Sequence, residues 1–237
     1  MGISKNRREA KVLDAGGGVE IRTCGLIDSS GVDFLPSGFR IDYQGKVVYI
    51  DPVALSDFKS ADIILITHAH PDHFSKKAIR EVKKSGTKII GPLRMETKLK
   101  KLGGEVHCLK PGDEISFSGI SCSAVPAYNK KNVFLWLKAH PGSGHNLGYV
   151  ISFGETRIYH AGDTHFVDEL KKMKGIELAL VPVGKGKLTM DAAEAAALVN
   201  HINPKIAVPM HYELKRKDDV SRFAGMIAEG IKVEFAI

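Results

Sequence analysis

The chain has 237 residues, and its 34 lysines and arginines against 27 aspartates and glutamates give a formal net charge of +7. A hydrophobic content of 43% and a charged content of 26% exclude a disordered chain, and 24 glycines without a three-residue period exclude collagen. The length accommodates one large α/β domain or two small ones, and its core needs no disulfide bonds.

The cysteines and the N-terminal segment predict a cytoplasmic protein. Cys24, Cys108 and Cys122 are odd in number and far apart, so we expect neither a disulfide framework nor a cysteine zinc module. The segment MGISKNRREAK has no apolar stretch of a secretory signal, and Asn6 stands where a myristoylation motif needs Ser or Thr. No apolar run approaches the length of a membrane span.

The positive charge is concentrated in one segment, residues 75–101, which holds ten basic residues and two acidic ones. Such a segment is either an anion-binding surface, for nucleic acid, anionic lipid or phosphorylated metabolites, or a pair of solvated helix faces. Because no aromatic residues are interleaved with the basic ones, the sequence favours solvated helix faces.

The first half of the chain is predicted to be mostly β-structure. Apolar alternation and short apolar runs predict strands at 19–26, 39–43, 47–51, 62–67, 88–90, 105–109, 114–117 and 120–125. Gln44 and Gly45 predict the turn of a hairpin between the second and third of these strands. Ala78, Ile79 and Val82 recur at helical spacing and predict a helix over 75–85, and a shorter helix follows over 94–102.

The second half alternates strands and helices. Strands are predicted at 147–153, 157–160, 177–183, 205–210 and 232–235, and helices at 167–174, 191–201 and 218–229. Asp191 is the predicted N-cap of the middle helix, and Glu194 three residues later completes a capping box. Two packed sheets flanked by helices would accommodate these elements.

The densest group of chemically active residues follows the predicted buried strand 62–67. Within six residues the chain places His68, His70, Asp72 and His73. His68 and His70 are two positions apart and therefore face the same way at an extended strand end, and Asp72 and His73 begin the next turn. Imidazole and carboxylate together bind zinc, iron or manganese, so this segment suits a pair of divalent ions.

The pattern H-x-H-x-D-H resembles the signature of the metallo-β-lactamase superfamily, and two further motifs fit that family. Asp163, in YHAGDT, matches the carboxylate that the family places between two metals, and His211, in VPMH, matches its last ligand. The resemblance implies a four-layer αββα sandwich of the α/β class. It runs to the chain end and implies a single domain over 19–237 after a lead-in over 1–18.

Two longer segments, THAHPDHF and PVGKGKLTMDAAEAA, are similar to the sequences of compact metal-dependent hydrolases such as ascorbate-6-phosphate lactonase and N-acylphosphatidylethanolamine phospholipases. The family has one more histidine ligand between the strands ending near 125 and starting at 147. This chain offers His140 and His145, whereas compact relatives often place the histidine where Tyr128 and Asn129 stand. We favour His140, and His145 remains an alternative.

The resemblance implies a metal-dependent hydrolase with two divalent ions, zinc first, with manganese or iron as alternatives. His68, His70 and His140 would hold one ion, Asp72, His73 and His211 the other, and Asp163 would lie between them. The ions would share a hydroxide that attacks an ester, lactone or phosphodiester, and Asp72 would also orient it as a catalytic residue.

Several other residues are candidates for contacts with a small or medium anionic substrate. Lys185 and Lys187 lie between a strand and a helix and could meet an anion, although GKGK is not a Walker A motif. Tyr128, Phe134 and Trp136 precede His140 and would either shape a pocket or pack, and His145 is a further candidate for contact with the substrate. His160 is predicted to be a packed residue or to support a ligand.

Two other functions stay open. One is a nuclease of the same superfamily acting on RNA or single-stranded DNA. The basic segment favours this function, whereas the lack of an RNA-clamping arm argues against it. The other is a non-catalytic metal-binding protein on the same fold, against which the complete set of ligands argues.

Overall fold

The central strands bury both faces, and each face packs against a different layer. The computed structural model describes residues 2–3, 10–29, 31–130, 132, 140–141 and 144–237, so Phe134 and Trp136 lie outside the described residues. In the strand Ala61–Leu65, Ile63 and Leu65 join a large apolar cluster, whereas Ile64 joins a second cluster formed with helical residues. Burial on both faces explains the continuous apolar run in the sequence.

The described residues form eighteen strands and four α-helices. The strands are Gly2–Ile3 (β1), Leu13–Asp14 (β2), Val19–Thr23 (β3), Ile27–Ser29 (β4), Val32–Leu35 (β5), Phe39–Tyr43 (β6), Lys46–Ile50 (β7), Ala61–Leu65 (β8), Lys83–Pro92 (β9), Glu105–Leu109 (β10), Glu114–Phe117 (β11), Ile120–Pro126 (β12), Leu147–Phe153 (β13), Thr156–His160 (β14), Leu178–Pro182 (β15), Ile206–Met210 (β16), Tyr212–Glu213 (β17) and Lys232–Val233 (β18). The helices are Lys76–Val82 (α1), Glu96–Lys100 (α2), Ala192–Ile202 (α3) and Lys217–Gly225 (α4). Leu93–Met95 and Asp168–Lys172 are short 3₁₀ helices.

Two seven-stranded mixed sheets make up most of the fold. Their strand orders are β10-β9-β8-β7-β6-β3-β2 and β11-β12-β13-β14-β15-β16-β18, and a third sheet has the order β1-β4-β5-β17. Helices α1 and α2 pack on the outer face of the first sheet, and α3 and α4 pack on the second. The predicted α/β class and four-layer αββα sandwich are confirmed.

Two local predictions agree with the geometry. Gln44 and Gly45 both have positive φ, 46° and 77°, which is the twist that a two-residue hairpin turn needs. Asp191 caps α3, because its side chain accepts a hydrogen bond from the Glu194 N–H at 2.9 Å. The reciprocal half of the capping box is absent, since Glu194 accepts from the Phe166 N–H instead.

Other elements differ from the predictions. Strands β4 and β5 were not predicted, because each is only three or four residues long, and their sheet depends on β17, far along the chain. The segment predicted as a helix over 167–174 is a 3₁₀ helix with a single buried apolar residue, Leu170, which is too little for an amphipathic α-helix. Helix α1 ends at Val82, and β9 begins at once.

The carboxyl ends of β7, β8, β14 and β16 lead into the residues that carry the chemistry. Strands β7 and β8 are parallel, as are β14, β15 and β16, so these ends meet at one edge of the sandwich. Among the described residues, no helix has the length and apolar character needed to cross a membrane.

The two sheets are joined beside this edge by a buried hydrogen bond. The Tyr149 hydroxyl, on β13, donates to the Ile66 carbonyl at 2.7 Å. Tyr149→Phe should lower the free energy of unfolding by about 1 kcal/mol, because the buried carbonyl loses its donor. Denaturant unfolding measures this loss.

Tyr159→Phe is the matched control. The Tyr159 hydroxyl is equally buried but has no hydrogen-bond partner within the described structure, so its removal should leave stability unchanged or raise it. Equal losses in both variants would contradict the role given to the Tyr149 hydrogen bond.

Candidate metal centre

The first group of candidate ligands comes from three separate loops. His68 Nε2 lies 3.1 Å from His70 Nδ1, and His140 Nε2 lies 3.2 Å from the same His70 atom. Asp163 Oδ2 is 3.5 Å from His140 Nε2. One ligand atom from each of these four residues lies within 4.8 Å of all the others, so the group could hold one metal ion.

The second group of candidate ligands consists of Asp72, His73 and His211. His211 Nε2 lies 3.2 Å from Asp72 Oδ2, and His73 Nε2 lies 3.8 Å from the same oxygen. Asp163 reaches this group too, because its Oδ1 is 3.3 Å from His73 Nε2 and its Oδ2 is 3.3 Å from His211 Nε2. A single carboxylate therefore spans both groups.

The burial of these atoms fits a bound cation. His73 is fully buried and Asp163 is 2% exposed, yet His73 Nε2 and Asp163 Oδ1 face each other at 3.3 Å and have no other hydrogen-bond partner among the described residues. Each buried polar atom left unsatisfied costs about 1–3 kcal/mol. A metal ion between these atoms would satisfy both, and imidazole with carboxylate is a ligand set typical of zinc, manganese and iron.

The carboxylates in the centre are held ionised. Burial alone would raise the pKa of Asp72, but the hydrogen bond from His211 and the charges of His73 and His211 lower it to about 2. Burial likewise opposes ionisation of Asp163, and His211 and His73 nevertheless hold its pKa well below the usual value. Both carboxylates are therefore negative at neutral pH.

Burial keeps two of the histidines neutral. It lowers the pKa of His68 well below the usual value, and it lowers the pKa of His140 to about 4 despite the attraction of Asp163. His73 differs, because the charges of Asp163 and Asp51 outweigh its burial and raise its pKa well above the ordinary value.

Asp51, at the end of β7, organises the histidines and was not singled out from the sequence. Its Oδ2 accepts from His73 Nδ1 at 2.7 Å and from the Thr67 hydroxyl at 2.6 Å, and its Oδ1 accepts from the Thr67 N–H. The Thr67 hydroxyl in turn lies 3.0 Å from His68 Nδ1. These contacts place the Nδ1 proton on both rings and leave each Nε2 facing the centre.

Two residues of the centre have strained backbones. Asp51 has φ of 46° and His211 has φ of 59°, a region that residues other than glycine seldom occupy. Gly162 precedes Asp163 with φ of 61°, and a side chain there would meet the Leu147 carbonyl at 2.8 Å. Strain of this kind persists only where the surrounding structure imposes it, as at functional sites.

The structure brings His140 to the centre and not His145. The His140 ring is nearly fully buried, and Asn129 accepts hydrogen bonds from both its main-chain N–H and its Nδ1. His145 belongs to neither group of candidate ligands, and its partial burial and Arg94 lower its pKa.

The predicted substrate contacts have varied surroundings. Lys185 Nζ lies 3.3 Å from Glu213 Oε1, and Lys187 is exposed. The Tyr128 hydroxyl donates to the Glu169 carboxylate, at 3.0 and 3.1 Å from its two oxygens.

His160 packs beside the centre. Its Nε2 donates to the Ser37 carbonyl, and its Nδ1 accepts from the Gly162 N–H. It therefore supports the turn that carries Asp163.

Part of the basic segment 75–101 is paired locally. Four of its lysines pair with carboxylates: Lys77 with Glu81, Lys84 with Asp62, Lys88 with Glu105, and Lys100 with Glu96. Lys83 donates to two main-chain carbonyls at the end of the α2 turn. Two of these carboxylates, Glu81 and Glu96, belong to the segment itself, so the segment keeps most of its positive charge.

The family follows from comparison with known sequences. A profile described as a beta-lactamase superfamily domain matches residues 34–211, which include every candidate ligand. A UPF0173 protein of Pyrococcus abyssi is 33% identical over 201 residues, which are 83% of this chain and 85% of that protein. The chain belongs to the metallo-β-lactamase superfamily.

Relatives within the metallo-β-lactamase superfamily define the general activity. A UPF0173 metal-dependent hydrolase of Methanopyrus kandleri is 32% identical over 74% of this chain and 80% of its own length. A solved structure from Parabacteroides distasonis, described as a metal-dependent hydrolase, has 32% identity and a TM-score of 0.75, covering 96% of this chain and 98% of that one. This superfamily member is therefore a metal-dependent hydrolase that uses a divalent metal.

A more distant structure shares the metallo-β-lactamase fold. Igni18, a metallo hydrolase from Ignicoccus hospitalis, has 22% identity and a TM-score of 0.69, covering 92% of this chain and 94% of its own. At that identity the likeness shows the fold alone.

The Asp51 network leads to a first prediction about metal affinity. Asp51→Asn should weaken metal binding about 10- to 100-fold, because the amide keeps only one of the two acceptor oxygens that hold His73 and Thr67, although no ligand changes. Competition against a chelator measures the affinity. Asp57→Asn, an exposed carboxylate that pairs with Arg40, is the control and should bind like the wild type; equal affinities in all three proteins would contradict the role of Asp51.

The raised pKa of His73 leads to a second prediction. Its ring is cationic at neutral pH before metal binding, so an ion that takes Nε2 should displace about one proton, and affinity should rise with pH up to that pKa. Calorimetric titration in two buffers of different protonation enthalpy counts the protons. Heats independent of the buffer would show that His73 is already neutral.

Proposed function

We propose that this metal-dependent hydrolase holds two divalent ions and cleaves an ester, lactone or phosphodiester bond in a small or medium anionic substrate. The observation that carries the proposal is Asp163, whose carboxylate lies within 3.5 Å of imidazole nitrogens in both groups of candidate ligands. His68, His70 and His140 would hold one ion, and Asp72, His73 and His211 would hold the other.

A pair of divalent ions in such a site supplies a water molecule activated at neutral pH and polarises the carbonyl or phosphoryl oxygen under attack. Zinc is the first candidate. Manganese and iron remain alternatives, because the ligand set does not distinguish the three metals. The free cysteines among the described residues are compatible with the cytoplasm that we propose as its location.

The side chains of the centre would prepare the reaction. Asp51 and Thr67 hold His68 and His73 with Nε2 facing inwards. Asp72 is ionised and is the most exposed of the carboxylates in the centre, with 18% of its side chain accessible. It is therefore suited to accept a hydrogen bond from the attacking water and to orient it.

The local charge supports an anionic substrate of modest size. Lys187 is exposed on the loop before α3, and the carbonyl of the next residue, Leu188, lies 3.0 Å from His140 Nδ1. This places a cation on a loop that touches a candidate ligand. A nuclease remains the second candidate, although four of the basic residues in 75–101 are paired with carboxylates.

The proposal is tested by reconstituting metal-stripped protein with zinc, manganese or iron. A p-nitrophenyl ester, a lactone, bis(p-nitrophenyl) phosphate, and labelled RNA and single-stranded DNA serve as substrates. Asp72→Asn, assayed with its metal content measured, should lower kcat about 10²- to 10⁴-fold, because a group that would hold one ion and orient the water is lost. Asp168→Asn, an exposed carboxylate paired with Lys171, is the control and should keep full activity.

The outcomes separate the candidate functions. Metal-dependent turnover of an ester, lactone or diester, lost in Asp72→Asn, supports the proposal. Turnover of RNA or single-stranded DNA at low enzyme concentration would favour the nuclease instead. A protein that carries its full complement of metal but turns over none of these substrates would argue against both the hydrolase proposed here and the nuclease.

A further inference from the structure

Asn129, just after β12, is a buried amide at the neck of the loop that carries His140. Its side chain is fully buried. The Asn129 N–H donates to the His140 carbonyl at 2.8 Å, and the His140 N–H donates to Asn129 Oδ1 at 2.9 Å. These two hydrogen bonds bring together residues eleven positions apart and offset part of the entropy lost on closing the loop.

The same amide oxygen determines which nitrogen of His140 faces the centre. Asn129 Oδ1 accepts from His140 Nδ1 at 2.7 Å. An amide oxygen can only accept, so the proton lies on Nδ1 and the lone pair lies on Nε2. Nε2 is the atom that lies 3.2 Å from His70 Nδ1 and 3.5 Å from Asp163 Oδ2.

The amide nitrogen of Asn129 makes a separate contact. Its Nδ2 donates to the Leu188 carbonyl at 2.8 Å, and that carbonyl also lies 3.0 Å from His140 Nδ1. At the other end of the same loop, Lys185 pairs with Glu213, two residues after His211. The loop 185–188 therefore extends from one group of candidate ligands to the flank of the other, with the Leu188 side chain 48% exposed.

We propose that Asn129 is a positioning residue with two separable tasks. Its oxygen orients His140 towards the metal, and its nitrogen holds the Leu188 loop as a wall that contacts the apolar part of the substrate next to the bond that is cleaved. The inference rests on the proposed function, in which His140 is a metal ligand and the substrate is cleaved at the metal centre.

Two substitutions distinguish the tasks. Asn129→Asp keeps both acceptor contacts to His140, but a carboxylate cannot donate to the Leu188 carbonyl and repels it. Asn129→Leu has a similar volume and loses both tasks. Asn200→Ala is the matched control, because Asn200 makes an equivalent pair of hydrogen bonds, to the Met226 carbonyl and from the Ala228 N–H, on the surface between α3 and α4.

Metal binding is the first readout, and it does not depend on activity. Wild type and Asn200→Ala should bind zinc with the same stoichiometry and affinity. Asn129→Leu should lower the affinity for one of the zinc ions about 10- to 100-fold, whereas Asn129→Asp should keep the wild-type affinity for that ion. The visible spectrum of the Co²⁺-loaded proteins should change in Asn129→Leu and remain that of the wild type in Asn129→Asp.

Kinetics give the second readout, with p-nitrophenyl esters of increasing chain length. Asn129→Asp should raise KM about tenfold for the longer esters while kcat stays near the wild-type value, because the wall and not the ligand is displaced. Leu188→Ala should raise KM in the same chain-length-dependent way without changing zinc affinity.

Each outcome bears on the proposal. Unchanged zinc affinity in Asn129→Leu would overturn the positioning task, and weakened affinity in Asn129→Asp would overturn the separation of the two tasks. A ratio of the Leu188→Ala KM to the wild-type KM that does not depend on ester chain length would overturn the role of the loop as a substrate wall. A wild type that binds a single ion would oppose the dinuclear function, while the effect of Asn129 on that one ion would still decide the positioning task.

Discussion

One buried carboxylate, Asp163, is the constraint on which the rest of the site depends. It is 2% exposed, and imidazole nitrogens of His73, His140 and His211 lie within 3.5 Å of it. An isolated carboxylate in such a place would be very costly to bury, so the structure has to gather cationic or cation-binding groups around it. His73 follows β8 of the first sheet, and His211 follows β16 of the second. The ends of β8 and β16 therefore have to meet the end of β14, which leads to Asp163, at a single edge.

Holding these strand ends together requires links between the sheets. The Leu147 N–H donates to the Thr67 carbonyl at 3.0 Å, and the Tyr149 hydroxyl donates to the neighbouring Ile66 carbonyl. Both contacts join β13 of the second sheet to the residues directly before His68. Asp51 and His211, whose φ is positive, lie at this same edge, and strain of this kind persists only where the surrounding structure holds it.

The sequence predicted the parts of this arrangement that are locally dense. Three histidines and a carboxylate within six residues, after an apolar run, are visible without any knowledge of the fold, as are the hairpin at Gln44 and the cap at Asp191. Asp51 and Asn129 could not be found in this way. Each is a single polar residue after a strand, where turn residues are common, and its partner lies 22 or 11 positions away. The strands β4, β5 and β17 were missed for a related reason, since each is short and β17 pairs with β5 from far along the chain.

The choice between His140 and His145 shows why spacing alone was insufficient. Proximity to a strand favoured His145, two residues before β13, but a ligand has to place one nitrogen at a defined point and in a defined protonation state. A histidine within a long loop can do this only if the loop is closed and the ring is held. Asn129 does both for His140, with its main chain and its side-chain oxygen, and the Leu188 carbonyl adds a third contact. The residue that follows a strand can thus anchor a histidine elsewhere on the chain, and these hydrogen bonds, not the distance in sequence from the strand, hold His140 beside the other candidate ligands.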